Sequence, residues 1–148
     1  ISLEADLFVV VAFKFLPNSI INIPKYGSIN IHPSILPKYR GLRPTYWQLY
    51  NNDPVGTTVH YIDEGIDTGP ILNTGTIDIC HSDTIRTIEI KQTNLGVELF
   101  YKTIEGLIEQ KIYPIIQKKR DGNYWKIEKL TRAVRKKAKD NIKNYKST

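Results

Sequence analysis

The sequence predicts an α/β domain with a mainly parallel sheet, and two observations carry that prediction. Asp6 to Phe13, DLFVVVAF, is short, rich in valine and nearly continuous in apolar character. That is the pattern of a strand buried on both faces, as in a parallel sheet. The stretches that follow alternate between period-two and three-to-four-residue spacing, with proline, glycine or asparagine punctuation between them, so strands and helices take turns. A chain of 148 residues is long enough for one domain around one core.

The elements follow in order. Pro17 and Asn18 end the valine run, and Asn18 or Ser19 is placed to cap a short helix before Pro24. After the turn Lys25-Tyr26-Gly27, Ser28 to His32 reads as a second strand. Pro33 to Pro44 contains three prolines and Gly41 and reads as a loop without regular structure. Thr45 is placed to cap a helix that carries Trp47 and runs to about Tyr50. Asn51 to Pro54 is turn chemistry. Gly56 to Tyr61 and Ile71 to Ile79 alternate as strands, separated by the loop Asp63 to Pro70. Ser82 or Asp83 would cap a long helix from about Thr84 to Lys111, with Ile85, Ile88, Leu95, Leu99, Ile104 and Ile108 on its apolar face. Asn123 to Ile127 suggests a last strand, and Thr131 to Asn141 a basic helix.

Bulk properties exclude several classes. The longest apolar run, Leu7 to Phe13, is far too short to span a bilayer, and Glu4 and Asp6 stand where a secretory signal needs basic residues. The single cysteine, Cys80, rules out an intrachain disulfide and a cysteine-rich zinc site, and a reducing, cytoplasmic setting is expected. Cys80 itself reads as a small apolar residue at a strand end. The net charge of +6 suits an anionic ligand as well as plain solubility. Most of the excess follows Lys111, and the run Arg132 to Lys139 reads as a solvated helix face, with contact to RNA as the rival reading.

Ligands of α/β sheets sit beyond the carboxyl ends of strands. Two loops occupy that place, one with His32-Pro33-Ser34 and one with Asp63 to Asp67. Asn30 and His32 are two apart on a strand and so share a face. An aspartate from the second loop, Asp67, could orient or charge the imidazole. Amide, imidazole and carboxylate suit acyl transfer to an amine, which must lose a proton while an oxyanion is stabilised. No serine or cysteine has the spacing of a nucleophile, so attack by the substrate's own amine is the simpler chemistry. His60 reads as a core or rim histidine, and Tyr46 and Trp47 as packing residues.

These residues carry a resemblance. Asn30-Ile31-His32-Pro33-Ser34, then Leu36 to Gly41 (LPKYRG), then His60 with Asp63 to Ile71 (DEGIDTGPI), together resemble the folate-dependent formyltransferase family. The resemblance covers about Asp6 to Lys111 and implies a Rossmann-like fold. It implies transfer of a formyl group from 10-formyltetrahydrofolate to a primary amine, with no metal. It puts Asn30, His32 and Asp67 in the catalytic positions. Phe13, Lys14 and Leu16 fall on the family segment whose backbone holds the pterin. Ile62, Asp63 and Gly65 fall on the loop that closes over it. Tyr39, Arg40 and Gly41 fall where the acceptor binds.

Family members begin with strands and a helix that this chain lacks, so an incomplete sheet is expected, completed by a second copy or by an N-terminal segment. The resemblance divides the chain into a catalytic core at 1–112 and a basic C-terminal extension at 113–148. The Arg40-Gly41 loop and the short C-terminal part favour an amino-sugar nucleotide as acceptor. The alternatives are a methionyl-tRNA formyltransferase-like enzyme and a non-catalytic remnant that binds folate or RNA.

Overall fold

The computed structural model describes residues 4–11, 16–118 and 121–145. In chain order its elements are strand β1 (Phe8–Val10), helix α1 (Asn18–Ile21), β2 (Ser28–His32), β3 (Tyr39–Gly41), α2 (Pro44–Tyr50), β4 (Gly56–Tyr61), β5 (Ile71–Thr76), α3 (Ile85–Ile108), β6 (Asn123–Trp125) and α4 (Arg132–Lys143). The central sheet has the order β1-β2-β4-β5, and β3 pairs separately with β6.

The α/β class holds, but the mainly parallel sheet does not hold over these strands. β1 runs parallel to β2, whereas β4 is antiparallel to both β2 and β5. A parallel neighbour needs a crossover of a dozen residues or more, usually a helix. The connection from β4 to β5 runs only from Ile62 to Pro70 and contains no helix, so β5 must return antiparallel. β1 also departs from expectation: Val9 is 45% and Val11 66% exposed, so the strand is not buried on both faces.

The loop predicted for Pro33 to Pro44 contains a regular element. Tyr39 to Gly41 form β3, which pairs in parallel with Asn123 to Trp125. The partner strand lies far along the chain, and no local pattern among the prolines reports it. Helix α3 starts one residue after Thr84, whose side chain and that of Thr87 form a reciprocal capping box. Asp83 supports that end from outside the helix. Its carboxylate accepts from the Cys80 N–H at 2.9 Å, from Thr87 Oγ1 at 2.9 Å and from Lys91 Nζ at 2.6 Å. Cys80 is exposed rather than buried, and its Sγ lies 3.3 Å from the same carboxylate.

The segment after residue 112 is not a detached extension. Ala138 and Ile142 of α4 are buried with Leu49, Val55, Ile79 and Ile88 in one apolar cluster. Asn141 Nδ2 donates to the carbonyls of Leu49 and Tyr50, satisfying acceptors at the C-terminal end of α2. The boundary expected at 112 therefore crosses a shared core. The physical reason is amphipathicity: α4 presents lysines to solvent while its few apolar residues fall on one stripe. A second cluster, Ile29, Val59, Leu72 and Leu99, packs the sheet against α3. A third contains Tyr39, Trp47 and Leu130, with Trp125 stacked on Trp47 at 4.6 Å between ring centres.

Candidate active site

Three neighbouring segments build the site: β2, the facing part of β4, and the loop after β4. Asn30 and His32 emerge on one face of β2, as their two-residue spacing predicts. In the antiparallel register Asn30 stands directly opposite His60, so their side chains meet across the strands. Asn30 Nδ2 lies 3.1 Å from His60 Nε2. Asp67 arrives from the loop, with its carboxylate 3.6 Å from His32 Nδ1 and 3.8 Å from His60 Nε2. All four line one cavity of about 740 Å³, together with Leu16, Ile31, Gly41, Ile62, Asp63 and Gly65.

Each group has a visible support. His32 Nε2 lies 2.8 Å from the Tyr39 carbonyl, and Ser34 Oγ donates to the same oxygen at 2.7 Å. A carbonyl only accepts, so Nε2 carries a proton and Nδ1 is the nitrogen turned to Asp67. The Tyr39 carbonyl, rather than Asp67, therefore sets the ring orientation. At 3.6 Å the Asp67–His32 separation exceeds a direct hydrogen bond. The His32 loop is stapled from two helices, because Gln48 and Gln92 both donate to the Pro33 carbonyl, at 3.1 and 2.7 Å.

Asp67 adopts φ 54°, in the left-handed region that non-glycine residues seldom occupy. Two bonds hold it there. The Gly41 N–H donates to its Oδ2 at 2.8 Å, and Gln117 Nε2 donates to its backbone carbonyl at 3.1 Å. Gln117 is held in turn by the Arg40 guanidinium, whose Nη2 donates to Gln117 Oε1 at 2.8 Å.

His60 is 2% exposed. Its Nδ1 lies 2.7 Å from the Tyr61 carbonyl, which fixes a proton on Nδ1 and leaves Nε2 as the acceptor for Asn30. Burial, and then the neighbouring His32, push its pKa down to about 4 against the pull of Asp67. His60 is neutral at pH 7.

The sequence-predicted residues fare differently. Asn30, His32 and Asp67 converge. Of the six expected around the pterin, Phe13 and Lys14 lie outside the described residues, and Leu16, Ile62, Asp63 and Gly65 line the cavity. The N–H groups of Ile62 and Gly65 are already bonded, to the Ser28 carbonyl and the Asp63 carboxylate, so they are not free to hold a ligand. Of the three expected around the acceptor, only Gly41 reaches this cavity.

The Tyr39 side chain is buried, with its hydroxyl on Asp53, and Arg40 is buried against Gln117. Both serve the site from behind, by positioning Asp67 and His32. Sequence reasoning assigned no role there to His60, Gln48, Gln92 or Gln117. The alternation Thr58-Val59-His60 gave the face of His60, but its register against Asn30 is a tertiary fact.

Among the described residues, no three histidine, cysteine, aspartate or glutamate side chains group to hold a metal ion, and no helix is long and apolar enough to cross a membrane.

The family model described as formyl transferase matches residues 2–104. The chain belongs to the formyl transferase family.

Methionyl-tRNA formyltransferase of Thermodesulfovibrio yellowstonii is 44% identical over 115 residues, covering 76% of this chain and 37% of that protein. The Lachnospira eligens protein of the same name is 41% identical over 126 residues, covering 84% of this chain and 40% of its own length. The chain thus spans about two fifths of these curated relatives.

Among solved structures, the formyltransferase PseJ of Anoxybacillus kamchatkensis superposes with a TM-score of 0.77 at 28% identity, covering 95% of this chain and 78% of that one. That structure is a complex with UDP-4,6-dideoxy-4-formamido-L-AltNAc and tetrahydrofolate. Phosphoribosylglycinamide formyltransferase of Bacillus halodurans gives 0.62 at 30% identity, covering 71% of this chain and 55% of that one. The Rossmann-like formyltransferase fold is therefore shared by this chain.

Proposed function

We propose that the chain is the catalytic core of an enzyme that transfers a formyl group from 10-formyltetrahydrofolate to a primary amine. The observation that carries the reading is the convergence of Asn30, His32 and Asp67 on one cavity. Its apolar walls, Val10, Leu16, Ile31, Ile62 and Val97, suit the flat ring system of a folate, and its polar floor suits a reacting carbonyl.

The donor supplies the formyl carbon and a nitrogen leaving group. The protein's own groups do the rest. An N–H of Asn30 and the ring of His32, donating from Nδ1, stabilise the negative charge that develops on the formyl oxygen. Asp67 takes the proton released by the attacking amine, and the path to the departing nitrogen is short inside the same cavity.

His32→Ala and Asp67→Asn are each expected to lower turnover on the order of 100- to 1000-fold while leaving donor affinity largely intact. Turnover with 10-formyltetrahydrofolate and an amine is the measurement, and either variant within a few-fold of the parent would overturn the assignment.

For the acceptor we favour an amino-sugar nucleotide. The support is the likeness to PseJ, which extends over 95% of the chain, a span that takes in the segment carrying α4. A tRNA acceptor is the second reading, favoured by the 44% identity to a methionyl-tRNA formyltransferase. Side-by-side assays with amino-sugar nucleotides and with methionylated initiator tRNA decide between them. Formylation of tRNA alone would reverse the order.

A further inference from the structure

The site contains a second histidine that the reaction, as described so far, does not use. His60 is buried, touches no bulk solvent, and has both ring nitrogens engaged. Nδ1 is satisfied by the carbonyl of the next residue. Nε2 faces the amide of Asn30 at 3.1 Å and the carboxylate of Asp67 at 3.8 Å. Its ring meets that of His32 edge-on, with centres 6.3 Å apart.

An asparagine amide can present either its oxygen or its nitrogen on a given side, and nothing in the asparagine itself chooses. A bare imidazole nitrogen chooses, because it can only accept. We propose that His60 is a positioning residue for formyl transfer: its unprotonated Nε2 takes one N–H of Asn30 and thereby aims the second N–H of the same nitrogen into the cavity. The inference rests on the formyl-transfer reading for its purpose, but the bond itself can be tested without turnover.

The arrangement also separates the two imidazoles by task. A proton on His60 Nε2 would oppose the Asn30 donor and turn the amide. It would also place a cation beside His32 and draw Asp67 away from it. The Tyr61 carbonyl holds the proton on Nδ1 and so excludes the other neutral tautomer, while burial of the ring disfavours the doubly protonated form. His60 therefore acts through Asn30 and need not touch the reacting atoms.

Two measurements on the full chain test this. Long-range ¹⁵N–¹H spectra of the imidazoles at pH 7 are expected to show His60 with a protonated Nδ1 and a bare, hydrogen-bonded Nε2. The side-chain amide signal of Asn30 is expected to move in His60→Leu and to stay near its parent position in His60→Gln, whose amide oxygen can accept in place of Nε2. A protonated Nε2, or an Asn30 signal indifferent to His60→Leu, would overturn the proposal whether or not the chain transfers formyl groups.

In turnover, His60→Leu is expected to lower kcat by roughly 10- to 100-fold with little change in KM for 10-formyltetrahydrofolate, because a misaimed group costs rate rather than binding. His60→Gln should recover most of the loss. A His60→Leu protein that melts earlier but keeps kcat per folded molecule would show that the histidine is only structural. Absence of turnover in the parent with every amine would count against the formyl-transfer reading, leaving the spectra to decide the bond.

Discussion

At the scale of single residues, the site depends on backbone positions that few side chains tolerate. Gly41 adopts φ +99°, and a Cβ there would lie 2.6 Å from the Trp125 carbonyl and 2.8 Å from the Tyr124 ring. Its N–H is also the group that holds Asp67. Gly41→Ala is therefore expected to cost about 2 kcal/mol or more of stability, since both a strained φ and an overpacked contact are involved. Turnover should fall as well, because Asp67 loses its anchor. Urea unfolding together with kcat checks both effects, and a variant with parental values of each would sink the account.

The same scale gives a pH dependence through His60. Its folded pKa of about 4 lies below the ordinary histidine value of 6.5. Protons therefore bind the unfolded chain first. The penalty is absent above pH 6.5, grows as pH falls toward 4, and is constant below that. It amounts to on the order of 3 kcal/mol. The titratable neighbours that face the ring are His32, Asp67 and Asp63. Melting temperatures across that range should fall less steeply for His60→Gln than for the parent, and parallel slopes would contradict the burial argument.

At the scale of elements, the N-terminal end of α3 is organised by Asp83. Burial alone would raise its pKa, but the bonds from Lys91, the Cys80 N–H and Thr87 outweigh it and hold the carboxyl down at about 2. A depressed carboxyl stabilises the fold above its unfolded pKa, and that contribution is lost as pH falls from about 4 toward 2. Asp83→Ala should destabilise by about 1–2 kcal/mol at pH 7, the range of a lost helix cap with a partly buried partner. Thermal melts of parent and variant should converge near pH 2. Melts that already coincide at pH 7 would contradict that role for Asp83. Helix α3 is worth this reinforcement because Gln92, one of the two glutamines on the Pro33 carbonyl, is buried in its middle.

At the scale of the whole molecule, the basic C-terminal helix belongs to the core. Ile142 is 3% exposed and lies beside Leu49, Val55 and Ile88. Truncating such a side chain leaves a cavity, so Ile142→Ala is expected to cost about 2–4 kcal/mol. Denaturant unfolding should show the loss in the same transition that reports the sheet. A separate, earlier transition confined to α4, with the main one unmoved, would restore the division at residue 112. Trp125 joins the same argument from the other side, because its stacking on Trp47 ties β6 to α2.

Much of this was legible in the sequence. Spacing of two placed Asn30 and His32 on one face, alternation marked β4, apolar periodicity marked α3 and a basic run marked α4 within a few residues, although α3 is capped by Thr84 rather than by the Ser82 or Asp83 that the sequence suggested. Those features are local, since strand period, helix period and capping depend on neighbours a few positions away. The resemblance added Asp67 from a distant loop. What the sequence could not supply is register and direction between distant segments. β3 exists only because β6 lies beside it, and the antiparallel return of β5 follows from how a short connection can run. His60 serves Asn30 because the two strands pair with those residues opposite each other, and Arg40 reaches Asp67 through Gln117. Each is a contact across many residues of chain, chosen by the summed packing of the fold, and no period or propensity along one segment encodes it.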